Sequence, residues 1–403
     1  MQEIITGMES EVRIYSRLFP SLFSKARGSF LEDHQGKKYL DFFCGAGSSN
    51  YGHNNANMKQ AIIDYLNNDG IINSLDQLTQ AKYNFMNSFN EIILRPRDLT
   101  YKIQFTGPTG TNAVEAALKL ARKYTKREKI MYFEHSFHGM SYGSMSVSGM
   151  RNGSLSIDYK KNVIEMPFHD HPDSLKRIKD YLESCDVKNL PAAIIVEAIQ
   201  AEGGVKVASK QWLEEVYALT RKYGMLLIMD EIQTGCGRTG TFFAFEIADV
   251  KPDIICLSKS LSGYGLPLSI ILLKPEIDCW YPGEHNGTFR GNNLAFITAR
   301  IALNYWKDSG FSEAIKLKSE KFVTYFNNKN IELIGRGLML AFVTPNADVN
   351  NRLQQRLFEQ GLLADTCGCN DNVIKFMPPL TITNEELDEG LHIISDSIES
   401  VCN

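Results

Sequence analysis

The sequence lacks the long apolar segments and the charge excess that mark two broad classes of protein. No apolar run approaches the ~20 residues that a membrane-spanning helix needs, so we expect no membrane partner. There are 43 lysine and arginine residues against 47 aspartate and glutamate residues, a formal net charge of −4. This small negative charge argues against a nucleic acid as a partner.

A disulfide framework and a targeting segment are missing as well. The 8 cysteines are scattered along the chain, without the regular spacing of a small secreted domain. The first residues, MQEIITGMESEVR, are polar and acidic, unlike a signal or transit peptide. We therefore expect a cytoplasmic protein with reduced thiols.

What the sequence does contain is the composition of an ordinary globular protein. Its 403 residues are 43% hydrophobic and 22% charged, enough for one large and one small domain. Up to about residue 295, apolar segments alternate with amphipathic helices, which predicts a parallel sheet with right-handed crossovers. The expected strands there include 129–133, 192–198, 225–229 and 254–257, with a helix over 209–223.

Two polar side chains follow directly after predicted strands. Asp230 comes at the end of MLLIMD, and Lys259 comes just after ICLS. The carboxyl ends of parallel strands meet at one edge of a sheet, where ligands bind. Taken alone, a lysine in this position is more often a solvated surface residue.

The clearest helix in the sequence spans residues 109–124, within GPTGTNAVEAALKLARK. Its alanines recur at helical spacing, and Thr111 is the expected N-cap. Free backbone N–H groups at the start of a helix bind phosphate. On this stretch alone, an ordinary capped helix is the simpler interpretation.

A lysine, a carboxylate at a strand end and a phosphate-binding helix are together what pyridoxal 5'-phosphate needs. The lysine amine condenses with the cofactor aldehyde, and the carboxylate keeps the pyridine nitrogen protonated so that the ring accepts electrons. Because the three features occur in one α/β pattern, the sequence predicts this cofactor.

The motifs resemble those of the fold-type I pyridoxal-phosphate enzymes, specifically the class III (omega) aminotransferases, from about residue 39 to residue 380. The segments FFCGAGSSNYGHN, QFTGPTGTNAVEAALKLARK, SKSLSGYGLP and PGEHNGTFRGNN are similar to those of diaminobutyrate–2-oxoglutarate aminotransferases. The resemblance implies an α/β large domain with a mostly parallel seven-stranded sheet between helices, plus a smaller α+β domain. The expected division is an N-terminal arm with part of the small domain (1–50), the large domain (51–295) and the C-terminal small domain (296–403).

The resemblance also implies roles for individual residues. Lys259 would be the cofactor-bonded general base and acid, and Asp230 would pair with the ring nitrogen. Thr288 would reach the phosphate from a neighbouring subunit, so a homodimer or larger assembly with shared active sites is expected. The expected cofactor-binding residues are Gly110, Thr111, Phe137, His138, Asp230, Gln233, Lys259 and Thr288.

Glu202 matches an acidic gate of the family, which pairs with an arginine and swings aside for a substrate carboxylate. At the arginine's position, in IKFMPPL, this sequence has Lys375. Lysine keeps the charge but lacks the planar fork of arginine. Lys375 is therefore either a substrate-binding residue or a surface residue of a strand.

The reaction implied is transfer of the amino group of L-glutamate to L-aspartate 4-semialdehyde, reversibly, giving L-2,4-diaminobutyrate and 2-oxoglutarate. The product would serve ectoine, siderophore or peptide-antibiotic biosynthesis. Alternatives are an omega-aminotransferase for ornithine, 4-aminobutyrate or 1,3-diaminopropane, an aminomutase or epimerase, and a non-catalytic pyridoxal-phosphate-binding protein.

The histidines of the sequence give only weak indications of a metal site or of a catalytic role. His135 and His138 have the spacing of metal ligands but no further credible ligands nearby, so we expect no metal. His53, in the passage NYGHN, is more consistent with a structural polar residue than with a catalyst.

Overall fold

The computed structural model describes residues 4, 7–150 and 160–402. Parts of the expected N-terminal arm (1–3, 5 and 6), a segment of the expected large domain (151–159) and the last residue lie outside the described residues. None of the helices within the described ranges has the length and apolar character needed to cross a membrane.

Seventeen strands occur in the described residues. They are β1 (Phe23–Arg27), β2 (Phe30–Asp33), β3 (Lys38–Asp41), β4 (Lys102–Gly107), β5 (Ile130–Phe133), β6 (Val163–Met166), β7 (Ala193–Val196), β8 (Ile199–Gln200), β9 (Lys206–Val207), β10 (Leu226–Asp230), β11 (Ile254–Leu257), β12 (Ser269–Leu273), β13 (Ile334–Arg336), β14 (Met339–Val343), β15 (Leu362–Leu363), β16 (Asp365–Cys367) and β17 (Val373–Phe376).

The α-helices alternate with these strands through most of the chain. They span Tyr15–Leu18, Ala56–Asn67, Gln80–Phe89, Gly110–Thr125, Tyr142–Ser146, Ser174–Ser184, Lys210–Lys222, Asn293–Leu303, Gly310–Asn327, Ala347–Glu359 and Asn384–Cys402. Cys44–Gly47 forms a single turn with positive φ angles.

The central sheet has seven strands in the order β4-β12-β11-β10-β7-β5-β6. β12 runs antiparallel to both of its neighbours, and the other pairings are parallel. Every residue of β10 and β11 is buried, as expected for strands covered on both faces. This α/β architecture confirms the predicted mostly parallel, seven-stranded sheet.

The helix Gly110–Thr125 packs on this sheet through small side chains, including buried Ala113, Ala117 and Ala121. Its predicted N-cap is wrong by two residues. Thr109 is the N-cap, and its N–H and hydroxyl both donate to Asn112 Oδ1, at 3.2 and 2.8 Å. The helix therefore begins at Gly110, two residues earlier than a cap at Thr111 would allow, which leaves Gly110 and Thr111 in its first turn.

Two four-stranded sheets lie outside the central sheet, and one of them joins the start of the chain to its later part. One has the order β1-β2-β3-β15, in which β15 pairs parallel with β3, and the other has the order β13-β14-β17-β16. Leu40 and Phe42 share a core with Leu353 and Leu391. The division into residues 1–50, 51–295 and 296–403 stays a prediction.

A fully buried arginine connects these parts next to the site. Arg238 Nη1 donates to the carbonyls of Leu338 and Pro378, at 2.9 and 2.6 Å, and Nε donates to Asn50 Oδ1 at 3.2 Å. An arginine can be buried because several acceptors satisfy its planar fork. The segments from both small sheets are thereby held against the loop that follows β10.

Candidate active site

A cavity of about 180 Å³ opens beside the carboxyl ends of β10 and β11. This is the edge of the sheet at which the sequence placed the site. Among the residues that line it are Gly110, Thr111, Phe137, His138, Glu202, Asp230, Gln233 and Lys259. The fold therefore brings most of the predicted site residues together.

Asp230 and His138 form a buried pair at one end of the cavity, here called the Asp230–His138 pair. Asp230 Oδ2 lies 2.7 Å from His138 Nδ1, and Asp230 Oδ1 accepts the N–H of Ile232 at 3.0 Å. Burial lowers the pKa of His138, but the hydrogen bond and charge of Asp230 outweigh it, so the pKa is raised overall. The pair thus combines an acid with a histidine that tends to be protonated.

Glu197 is a site residue that the sequence analysis missed. It follows β7 directly and lines the cavity, and its Oε1 accepts the N–H of Phe137 at 3.0 Å. Burial, with the charge of Asp230 adding to it, raises the pKa of Glu197 to about 7. The strand-end rule that selected Asp230 would also have selected Glu197.

Lys259 begins a short 3₁₀ turn and adopts the left-handed backbone conformation, with φ of 49°. Its Nζ donates to the carbonyl of Ala46 at 2.9 Å. Burial lowers the pKa of Lys259, and the charge of Lys375 adds to this effect against the opposing charge of Glu202. A lowered pKa favours the neutral amine, which is the nucleophilic and basic form.

The glycine-rich passage after β3 supplies the acceptor for that lysine. Cys44, Gly45, Ala46 and Gly47 all have positive φ, so the chain makes a left-handed turn that two glycines ease. The Ala46 carbonyl in this turn accepts from both Lys259 and Gln233 Nε2, each at 2.9 Å. The passage therefore borders the site.

The other candidate anchor is the first turn of the helix Gly110–Thr125. The first N–H groups of a helix have no partner within the helix, and Gly110 and Thr111 both line the cavity. A Cβ at Gly110 would lie 3.0 Å from the side chain of Ile232. Thr111 Oγ1 also lies 2.6 Å from the hydroxyl of Ser141, a contact that the sequence did not reveal.

Next to Glu202, which lines the cavity, Lys375 of β17 forms the lysine–carboxylate cluster with Glu202 and Asp365. Lys375 Nζ lies 2.8 Å from Glu202 Oε1 and 3.5 Å from Asp365 Oδ2. It also donates to Gln233 Oε1 at 3.3 Å. Because the Lys375 side chain is fully buried, the alternative of a surface residue is wrong.

Three segments of the chain meet in this cluster. Asp365 pairs with Lys375 across the antiparallel strands β16 and β17. Glu202 comes from the loop between β8 and β9, whose apolar residues share a core with β14, β16 and β17. The Glu202 carbonyl accepts the N–H of Gly368 at 2.8 Å. Asp365 was not predicted, because its partner lies on another strand.

Electrostatics keep the lysine of the cluster charged. Burial lowers the pKa of Lys375, but Glu202 and Asp365 together raise it well above its ordinary value. Burial also opposes ionisation of Glu202, yet Lys375 and Lys259 hold its pKa below the usual range. Burial raises the pKa of Asp365 to about 6, against the opposing charge of Lys375.

Tyr15, from the N-terminal segment, lies near enough to this cluster for its hydroxyl to be affected by the charges there. Its ring packs on Phe43 with centroids 4.8 Å apart. The pKa of its hydroxyl is raised, first by burial and then by the charges of Asp365 and Glu202. No local pattern in the sequence connects Tyr15 with a site more than 180 residues further along the chain.

Thr288 is placed differently from the other candidates. It lies on an exposed loop and does not line the cavity. His53, by contrast, has the structural place that was expected, because its Nε2 lies 2.7 Å from Asp41 Oδ2. Within the described ranges, no group of three or more histidine, cysteine, aspartate or glutamate side chains could hold a metal ion.

Comparison with known proteins identifies the class of enzyme that this fold and site define. The family model described as "Aminotransferase class-III" matches residues 14–398. The chain belongs to the class III aminotransferases, and it is a pyridoxal-phosphate-dependent transaminase, as the sequence predicted.

Several relatives that are similar over nearly the whole chain carry the same name. The diaminobutyrate–2-oxoglutarate transaminase of Oceanobacillus iheyensis is 48% identical over 98% of this chain and 96% of its own length. That of Streptomyces avermitilis is 49% identical, over 98% of this chain and 97% of its own length.

Solved structures agree on the fold. The ornithine aminotransferase of Toxoplasma gondii superposes with a TM-score of 0.87 at 26% identity, over 99% of this chain and 94% of its own. An aminotransferase of Bacillus anthracis gives a TM-score of 0.88 at 24% identity, over 99% and 98%.

The residues around the cavity fit the family's cofactor. They supply a primary amine (Lys259), a buried carboxylate (Asp230), an aromatic ring (Phe137) and the open first turn of a helix. Gly110 fits a close approach, because any larger residue would crowd Ile232. An amine, an acid and an anion site on one cavity match the aldehyde, the ring nitrogen and the phosphate.

Proposed function

We propose that this enzyme transfers an amino group between L-2,4-diaminobutyrate and 2-oxoglutarate, giving L-aspartate 4-semialdehyde and L-glutamate in a reversible reaction. The structural observation that carries the proposal is that the cavity lined by Lys259 and Asp230 is also lined by Glu202, which is paired with the buried Lys375. Relatives that are 45–49% identical over nearly the whole chain and carry this name support the substrate.

Several residues that line the cavity would each have a role of their own in the reaction. Bound pyridoxal phosphate supplies an electron sink for the negative charge that develops at the substrate carbon. Lys259 Nζ would take a proton from that carbon and deliver it to the cofactor carbon that carried the aldehyde, a role that its lowered pKa favours. Asp230, fixed by His138 and the Ile232 N–H, would hold the protonated ring nitrogen. Phe137 would pack on the ring, and Gln233 would contact its hydroxyl.

The phosphate would lie at Gly110 and Thr111, with Thr288 of a second copy completing its site. An exposed apolar surface next to Thr288 supports this homodimer. Phe289 is 67% exposed and Leu78 is 95% exposed, and their two loops are joined because the Ser74 N–H donates to the Gly291 carbonyl at 2.9 Å. Large exposed apolar side chains of this kind mark interaction surfaces.

Lys375 would bind a substrate carboxylate, with Glu202 as the group that leaves to admit it. Glu202 lines the cavity, so it can move without opening the core. A cytoplasmic location also belongs to this proposal, and the 8 free cysteines fit such a reducing compartment.

The test is a product analysis with purified enzyme and pyridoxal phosphate. Diaminobutyrate and 2-oxoglutarate should be consumed in equal amounts, and glutamate should appear, whereas Lys259→Ala should form none. Turnover of diaminobutyrate without consumption of 2-oxoglutarate would instead indicate an epimerase or aminomutase. Activity with ornithine or 4-aminobutyrate but not diaminobutyrate would overturn the substrate and keep the reaction.

A further inference from the structure

The lysine–carboxylate cluster contains two acids and one base. Lys375 Nζ lies 2.8 Å from Glu202 and 3.5 Å from Asp365. The other nearby lysine, Lys259, is the group whose amine tends to be neutral. The cluster is therefore one negative charge in excess when both acids are ionised. Excess charge in a buried site is costly, so a bound molecule that balances it is favoured.

The two acids are held differently. Glu202 faces the cavity, and its side chain is 22% exposed, against 4% for Asp365. Asp365 Oδ1 accepts the N–H of Thr366 at 3.0 Å, while Oδ2 has no hydrogen-bond partner within the described residues. Strand pairing with Lys375 fixes Asp365 in place. Glu202 can thus give way to a substrate, and Asp365 cannot.

The negative charge of Asp365, which stays beside Lys375 when a substrate binds, distinguishes two kinds of amino donor. A carboxylate without a neighbouring cation, bound to Lys375, places a second anion beside the fixed charge of Asp365. An α-amino acid group brings an ammonium with its carboxylate and adds no net charge. Like charges brought together in an interface are a means of rejecting a wrong partner.

We propose that Asp365 determines specificity: it selects substrates whose far end carries an ammonium beside the carboxylate over omega-amino acids with a carboxylate alone. The inference rests on the proposed function, since it assigns the far end of diaminobutyrate to the lysine–carboxylate cluster. Asp365 acts on the substrate through its charge and through Lys375.

The test compares Asp365→Asn with the wild type in single half-reactions with two donors, diaminobutyrate and 4-aminobutyrate. The kcat/KM for diaminobutyrate should fall and that for 4-aminobutyrate should rise, so that their ratio changes about tenfold or more. The KM for 2-oxoglutarate should also fall. Opposite changes cannot come from a damaged fold, which would lower all rates. Asp371→Asn is the matched control, because it removes the same charge from an exposed position in the same β16–β17 hairpin.

A second measurement keeps the inference testable if the variant does not fold. In the wild type, the preference for diaminobutyrate over 4-aminobutyrate should decline as the pH falls below about 6, where Asp365 becomes protonated. The groups that face Asp365 are Lys375, Glu202, Lys259, Cys367 and Tyr15. An unchanged ratio in both experiments would overturn the role of Asp365. Absence of any reaction with diaminobutyrate in the wild type would instead overturn the proposed function.

Discussion

The Asp230–His138 pair and the lysine–carboxylate cluster differ in their balance of charge and in their place in the fold. The Asp230–His138 pair joins one acid to one histidine, and it grows from the edge of the seven-stranded sheet. The lysine–carboxylate cluster joins two acids to one lysine, and it is assembled where the β8–β9 loop meets a second sheet. The balanced pair suits a reaction common to every amino donor. The unbalanced cluster suits discrimination between donors.

Lys259 lines the cavity together with Asp230 and Glu202, and its loss should have the largest effect. Lys259→Ala removes the amine that bonds to the cofactor and moves the proton. We expect turnover to fall about 10⁴-fold or more with every donor. The visible absorption band of the lysine-bound cofactor should vanish as well. An unchanged band in the variant would remove Lys259 from its role.

Asp230→Asn tests whether the Asp230–His138 pair serves all donors alike. The amide keeps the shape but loses the charge that would stabilise the protonated ring. We expect an intact fold and rates lowered about 100-fold or more in both half-reactions. Circular dichroism controls for the fold. If only one half-reaction slowed, the pair would not be the shared part of the site.

Lys375→Ala tests the cluster as a structural unit. The change leaves Glu202 and Asp365 as buried acids without a cation, so we expect a loss of about 3–5 kcal/mol in the free energy of unfolding. Denaturant titration measures it. Lys375→Arg is the control, because it restores the charge. A variant as stable as the wild type would mean that the acids are protonated or solvated.

Glu202→Gln should have the smallest effect and should act on the binding of the acceptor, 2-oxoglutarate. The amide still accepts a hydrogen bond from Lys375 but holds it less tightly, so a substrate carboxylate displaces it more easily. We expect the KM for 2-oxoglutarate to fall about fivefold. Steady-state kinetics at fixed diaminobutyrate measure this change. A higher KM would contradict the gate assigned to Glu202.

The sequence predicted the Asp230 end of the site far better than the lysine–carboxylate cluster, for a physical reason. Asp230 and Lys259 follow apolar strands, and parallel strands end at one edge, so local patterns place both residues. Lys375 lies 173 residues from Glu202 along the chain. Its burial in the apolar strand VIKF depends on partners that no local pattern reveals.

Asp365 and Tyr15 were missed for the same reason, since each reaches the cluster through tertiary packing. The N-cap at Thr109 illustrates a smaller limit. The stretch Thr109, Gly110 and Thr111 offers two threonines that could cap the helix, and only the backbone conformation decides between them.

One spectroscopic titration tests the central claim most directly. The purified enzyme, loaded with pyridoxal phosphate, would be titrated with diaminobutyrate, glutamate, ornithine and 4-aminobutyrate. The account predicts loss of the lysine-bound absorption band with diaminobutyrate and with glutamate, and its return on adding 2-oxoglutarate. A response to glutamate and ornithine but not to diaminobutyrate would contradict diaminobutyrate as the substrate.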